Sequence, residues 1–332
     1  MISKKEVKHS LPFILLFTLL FSSCIEYKII GIQTLKPPAI SIPKDFSQPL
    51  VVASIYKGVT GVAESMAQSA LDSTAAVEAA LVLSETLNES PWFQGLRIPT
   101  RVFYRDDASQ FILPFPWSTV EGLATQDNAD IVLSLEYIKI QPKTESYTYW
   151  DGYMSKHYGY LSMNVYAYWR VYYLKNKKVV ADYLYRDTLL WDQSDFNKVS
   201  VGEQLPGFFS ASKYCGYVTG IEFANRIAPT WMDERRLLYS TGSKDMRSAT
   251  EFAQNSQWLD AAVIWQRIIQ NPKSNPQLAA KAAFNMALAN EMNGKFDVAL
   301  EWLNKSKEFN HLPEQTWYIR ILELRIRVME KL

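Results

Sequence analysis

The chain has 332 residues, of which 35 are basic and 34 acidic, for a formal net charge of +1. That balance argues against a nucleic-acid partner, which calls for a basic surface. Three histidines and two cysteines leave little from which to build a metal centre or a disulfide.

In chain order, the first segment reads as a targeting signal. Lys4, Lys5 and Lys8 precede an apolar run from Leu11 to Phe21, broken only by Thr18. The run is about half of the roughly 20 residues a membrane span needs, and a charged start before a short apolar stretch marks a secretory signal peptide. Phe21-Ser22-Ser23-Cys24 then resembles the lipobox of bacterial lipoproteins. The resemblance implies cleavage before Cys24, lipid attachment at its thiol, and residence in the cell envelope as an outer-membrane lipoprotein. Phe21 departs from the usual leucine of that family. An ordinary secretory peptide and an uncleaved anchor are the alternatives. Each buried methylene of an acyl chain contributes about 0.8 kcal/mol to membrane attachment. Surface-exported lipoproteins of Bacteroidota-type bacteria often carry acidic clusters after the cysteine. Here only Glu26 precedes Lys28, which favours the periplasmic face over the cell surface.

Residues 24–48 carry Pro37, Pro38 and Pro43 without a clean period and read as a tether, with room for one short strand. From 49 to 240 a mixed α/β domain is expected. Leu50 to Tyr56 suits a buried strand, and Ser73 to Leu87 has an apolar face at helical spacing. Arg97 to Tyr104 reads as a second strand. Ser118 and Glu121 form a capping-box pattern for a short helix ending near Asn128. Asp130 to Ile138 reads as a third strand. The rhythm, with Ala129-Asp130-Ile131-Val132-Leu133 leading into a strand, is similar to periplasmic lipoprotein domains of curli-secretion and Tol-associated proteins. From Tyr160 to Val171 apolar residues alternate with polar ones and tyrosines, the period of a strand. Lys175 to Lys178 makes the turn and Val179 to Trp191 returns, giving an antiparallel hairpin. The Tyr147 to Tyr160 stretch can add another strand. Here is the aromatic excess, within a total of 19 Tyr and 10 Trp.

From Ser243 the pattern turns helical. Ala249 to Ile268 reads as two helices turning near Ser256, and Asn271-Pro272 and Asn275-Pro276 interrupt them. Gly294, Phe296 and Ala299 in the next unit, with Ser256, Trp258 and Ala261 in the first, resemble the turn, aromatic and small positions of the tetratricopeptide repeat. Thr316 to Leu332 forms a closing helix. The fold class expected is α+β: a mixed α/β domain with its hairpin, then an all-α helical-repeat domain over 241–332. The layout also resembles uncharacterised Bacteroidota-type lipoproteins, on Phe284 to Met292, Ala299 to Leu303 and the Tyr/Trp-rich hairpin before Asp187. That family carries no assigned activity.

No catalytic set emerges. His9, His157 and His311 lie far apart, no metal or cofactor is expected, and Cys215 reads as a packed thiol. Gly58-Val59-Thr60-Gly61 follows a strand but lacks the Lys-Ser/Thr of a phosphate loop, so a turn is the reading. The expectation is a non-enzymatic envelope protein holding another protein through its repeats, with Asn285, Asn290 and Glu291 lining a groove. The alternative is a glycan-binding lipoprotein using Tyr160, Tyr166 and Tyr168 as flat stacking groups. Against it stands a sheet face covered by helices, since tyrosine favours strands in any case.

Overall fold

The computed structural model describes residues 27–56, 62–105 and 113–329. The signal segment, Cys24 and the Gly58–Gly61 loop lie outside them. The chain divides into two compact units, Leu35–Met232 and Asp233–Leu332 with Met1–Thr34.

The first unit is built on a five-stranded sheet in the order β3-β2-β4-β5-β6. Its strands are β2 (Pro49–Tyr56), β3 (Thr100–Arg105), β4 (Ile131–Trp150), β5 (Ser155–Tyr173) and β6 (Lys178–Asp195). β2 lies parallel to both β3 and β4. β4, β5 and β6 run antiparallel over registers far longer than the helical cover. β2 is buried as far as Ile55, as a central parallel strand requires, and its sequence is a nearly unbroken apolar run. Helix α1 (Ala63–Asn88) and helix α4 (Phe208–Ile227) cover one face. There Trp169 stacks on Phe223 with ring centroids 4.5 Å apart. Helix α2 (Trp117–Thr125) covers the other face, over Leu50, Val52, Val132 and Tyr172.

The expected capping box does not form: the N-cap is Pro116, with no side-chain cap, and Ser118 sits inside the helix. The helix starts one residue before Ser118, and a side chain caps only from the position just outside the helix. Two small residues set the packing of α4 on α1. A Cβ on Gly216 would stand 2.3 Å from the Ala75 carbonyl oxygen, and one on Gly220 would stand 2.6 Å from that of Ala79. Only glycine lets the backbones come this close. Cys215 beside them is fully buried, and burial pushes its thiol up to about 12.

In the second unit β1 (Tyr27–Lys36) and β7 (Thr230–Tyr239) form a two-stranded sheet. The region read as a tether thus contains a ten-residue strand. Helices α5 (Lys244–Gln254), α6 (Trp258–Gln270), α7 (Pro276–Met292), α8 (Phe296–Phe309) and α9 (Gln315–Met329) follow, each packing on the next. Ser256 (φ +61°) and Gly294 (φ +71°) both turn the chain in the left-handed region. Serine therefore stands in one turn where the other uses glycine. Asn275 caps α7 through the Leu278 N–H, with Pro276 at its first turn. The architecture is α+β, an α/β region followed by a series of helices.

Candidate functional site

Beyond Ile140 the β4–β5 hairpin leaves the cover of α1. The last tie is Asp72, whose carboxylate accepts from the Ile140 N–H at 2.8 Å while Gln68 donates to the Ile140 carbonyl at 2.6 Å. The turn at the far end is set by Asp151, which accepts from the Tyr153 and Met154 N–H groups at 2.9 and 3.0 Å, with Gly152 at φ +102°.

Strand alternation sorts the hairpin's side chains. Odd residues of β5 from Leu161 to Tyr173 enter the core below α1 and α4. Even residues carry the tyrosines, and across the ladder Tyr158 pairs with Tyr147 and Tyr160 with Glu145. The rings form a contiguous run: Tyr149 and Tyr147 are 6.3 Å apart, Tyr147 and Tyr158 5.0 Å, and Tyr158 and Tyr160 6.4 Å. None of the described helices packs over this end of the face. Tyr147 is 56% exposed, and Trp150 at the tip 65%.

Polar partners hold the rings in place. The Tyr160 hydroxyl bonds the Glu145 carboxylate, and this bond, with some burial, raises its pKa. Lys143 pairs with Glu145 at 2.6 Å and, with Tyr160, lowers the carboxyl's pKa. Tyr158 is raised by burial and by its bond to Asp192.

A cleft of about 760 Å³ opens at the same end, where helix α3 (Lys198–Gln204) faces the hairpin. Asn197 caps α3 through the Val199 N–H, and Asp195 accepts from the Ser200 hydroxyl at 2.7 Å, fixing the helix to the end of β6. Gly159 makes room for α3, since a Cβ there would meet the Val201 side chain at 2.8 Å. The hairpin walls the cleft, so residues from both of its faces border it: Thr144, Thr148, Tyr147, Tyr158 and Tyr160 among them, with Phe208 opposite. His157 also borders it, its Nδ1 2.8 Å from the Thr148 hydroxyl.

Of the tyrosines singled out in the sequence, Tyr160 belongs to this run. Tyr166 and Tyr168 lie on the same face nearer the core, each with a guanidinium over its ring, Arg186 at 5.8 Å and Arg170 at 4.5 Å. One face of each ring is thereby covered. Tyr147, Tyr149 and Tyr158 were not among the candidates, although they lie in the stretch read as an additional strand.

The second unit corrects an expectation. Asn285 and Glu291 do not line a groove; both are buried. Asn285 stitches α7 to β7, accepting from the Tyr239 N–H at 2.9 Å and donating to its carbonyl at 2.7 Å. Glu291 takes Arg236 at 2.9 and 3.1 Å, the Tyr318 hydroxyl at 2.5 Å, and Arg325. Asn290 is half-buried and donates to the Met286 carbonyl at 2.8 Å. Polar residues on an alanine-rich helix read as a solvent face in the sequence, but here they satisfy strand and helix partners inside the unit.

Among the described residues no cluster of three histidine, cysteine or acidic side chains could hold a metal ion, and no helix is long and apolar enough to cross a membrane.

The chain belongs to the family described as a domain of unknown function, DUF8603, which it matches over residues 51–239. Residues 247–324 match a second domain of unknown function, DUF6340. No curated protein sequence matches. Among solved structures, the chain is similar to a PelC dodecamer from Paraburkholderia phytofirmans at 12% identity, covering 60% of this chain and 99% of that one, with a TM-score of 0.23. A neuraminyllactose-binding hemagglutinin homolog from Helicobacter pylori is 12% identical over 58% of this chain and 88% of its own, TM-score 0.29. The hypothetical protein CT253 from Chlamydia trachomatis is 20% identical over 45% and 73%, TM-score 0.19.

Proposed function

We propose that this is a non-enzymatic binding lipoprotein of the cell envelope, held by lipid on Cys24 at the periplasmic face of the outer membrane, that takes a glycan at the tip of its tyrosine hairpin. The observation that carries the binding reading is the contiguous, partly exposed run of Tyr149, Tyr147, Tyr158 and Tyr160 on one face of the hairpin. Aromatic faces pack against the C–H faces of sugar rings at little entropic cost. Glu145 and Lys143 on the same face supply hydroxyl-bonding groups beside the rings. On a glycan array the purified chain should bind a defined set of oligosaccharides. Tyr147→Ala and Tyr158→Ala should each weaken that binding by about fivefold, the equivalent of about 1 kcal/mol. An array without signal, or signal indifferent to both changes, would sink the reading.

The anchor rests on the lipobox-like Phe21-Ser22-Ser23-Cys24. Cys24→Ser should move the protein from the membrane to the soluble fraction; retention in the membrane, with no acyl mass on the native chain, would refute it. The protein reads as one of the Bacteroidota-type lipoproteins with a tetratricopeptide-like tail. A second reading, a protein partner held by that tail, is favoured by Leu259 and Val263, one turn apart on α6 and 75% and 57% exposed.

A further inference from the structure

β6 is an outer strand of the first unit's sheet, and no described strand pairs with its far side. It is 18 residues long and holds neither proline nor glycine. Such an edge presents unpaired backbone N–H and carbonyl groups to an extended partner.

Which groups face outward follows from the ladder. The Ile140 N–H and carbonyl are both taken by α1, through Asp72 and Gln68, so they point away from β5. Ile140 lies opposite Val165, and Val165 opposite Asp187. Successive residues of an antiparallel strand direct both groups to alternate sides. Val165 and Asp187 therefore bond each other, and the even-numbered residues of β6 direct their groups outward. The Thr188 N–H agrees, since it donates to the Asp187 carboxylate at 2.7 Å and not to β5. That bond blunts the edge at Thr188. Val180 blunts it at the other end as the extra residue of a bulge, for Ala181 faces Val171 while Val179 faces Tyr172. Between these two positions Asp182, Leu184 and Arg186 are left open, and all three are exposed.

The open segment complements itself. Asp182 and Arg186 stand symmetrically about Leu184 on one face of the strand. In an antiparallel pair centred on Leu184, each Asp182 lies across from the Arg186 of the other copy, and Leu184 meets itself. All of these residues direct their backbone groups outward, so each pair exchanges two hydrogen bonds. The blunted positions, Val180 and Thr188, then meet each other at the two ends. Moving the centre to Tyr183 sets Asp182 against Leu184, and moving it to Tyr185 sets Arg186 there. Within the sheet Asp182 neighbours Arg170, which Glu136 engages, and Arg186 rests over the Tyr166 ring.

We propose that β6 pairs antiparallel with β6 of a second copy across a two-fold axis at Leu184, joining two five-stranded sheets into one. The occupant of the edge is thus another copy of this chain, chosen by the crossed Asp182–Arg186 pairs. A contact of this kind uses the same patch on both copies and closes at two. The ladder is short and buries little area, so the dimer is a weak one.

Sedimentation equilibrium of the purified full chain tests this. The wild type should dimerise with a Kd on the order of 10–100 μM. Asp182→Arg and Arg186→Asp should each weaken the dimer about tenfold or more, because each sets like charges opposite one another. Mixed in equal amounts, the two variants should associate about as tightly as the wild type, since every crossed pair is again of opposite charge. The double exchange, Asp182→Arg with Arg186→Asp, should do the same alone. Thermal unfolding near that of the wild type shows that the variants are folded. Leu184→Lys, which sets two ammonium groups face to face at the axis, replaces either one that is not. A wild type still monomeric at about 300 μM, a dimer unmoved by these substitutions, or charge variants that do not recover when mixed would each overturn the proposal.

Discussion

Glu291→Gln is expected to destabilise the helical unit by about 3–5 kcal/mol. The Glu291 carboxylate is fully buried and holds Arg236, Arg325 and the Tyr318 hydroxyl together. Burial and the Glu291 charge raise the Tyr318 pKa far above its ordinary value, which keeps that hydroxyl a donor. Glutamine would bring an N–H₂ group toward the two guanidinium groups and remove the charge that balances them. Glu234 still reaches Arg236, at 2.6 Å, but from a partly exposed position. The cost is therefore mainly that of guanidinium groups left uncompensated inside the unit. Urea unfolding followed through the buried Trp265 reads the effect. A double change, Glu291→Leu with Arg236→Met, should cost less than Glu291→Gln alone, because it removes both charges of the most buried pair. A loss below about 1 kcal/mol in Glu291→Gln would show that the cluster is solvated, against the burial described above.

The second large effect is expected at the α1–α4 contact. Gly216→Val and Gly220→Val should each cost about 3 kcal/mol or more, the upper end for overpacking. The atoms a new Cβ would meet are backbone atoms of α1: the Ala75 and Ala79 carbonyl oxygens, and the Leu83 nitrogen at 3.0 Å. Backbone cannot swing aside, so the helices must separate and open the core over Trp169 and Phe223. Gly122→Ala in α2 is the control. Nothing lies within 4 Å of its added carbon, and a helix-interior glycine replaced by alanine should gain about 0.5–1 kcal/mol. Thermal unfolding of the three variants should separate two large losses from a small gain. Equal behaviour would mean that the helices are not in close contact.

The same glycines explain why part of the fold could not be read from the sequence. α4 carries Gly216, Thr219 and Gly220 in its middle, residues of low helix propensity, and no apolar stripe announces it. Its partner face on α1 is Ala75, Ala76, Ala79 and Ala80. Close backbone approach, a tertiary property, decides the helix. β2, β5 and β6 were legible because burial on both faces, or on one, left continuous or alternating apolar patterns. β4 was seen as far as Ile138, and its last residues only within the separate stretch from Tyr147. Its outer half, Gln141 to Trp150, is polar and exposed on both sides, and cross-strand pairing with β5 holds it extended. For the same reason Tyr147 and Tyr149 escaped the candidate site. Tyr160 was found through the alternation of β5, whereas Asn285 and Glu291 were misplaced. A polar residue on a helix shows its buried partners, here β7 and α9, only in three dimensions.

The burial of Cys215 bears on the export proposed above. A thiol held at about 12 is ionised to only about one part in ten thousand at pH 8, and it is sealed behind α1. Once the chain is folded, the thiol's burial and raised pKa disfavour disulfide exchange in the oxidising compartment that the proposed export implies. Were the chain exported as proposed, the thiol's exposure to oxidants would be confined to the interval before α4 docks on α1. The speed of that docking is thus a safeguard against covalent dimers. The unpaired cysteine is tolerated because its two glycine neighbours, one beside it and one a turn further on, let the helices close over it.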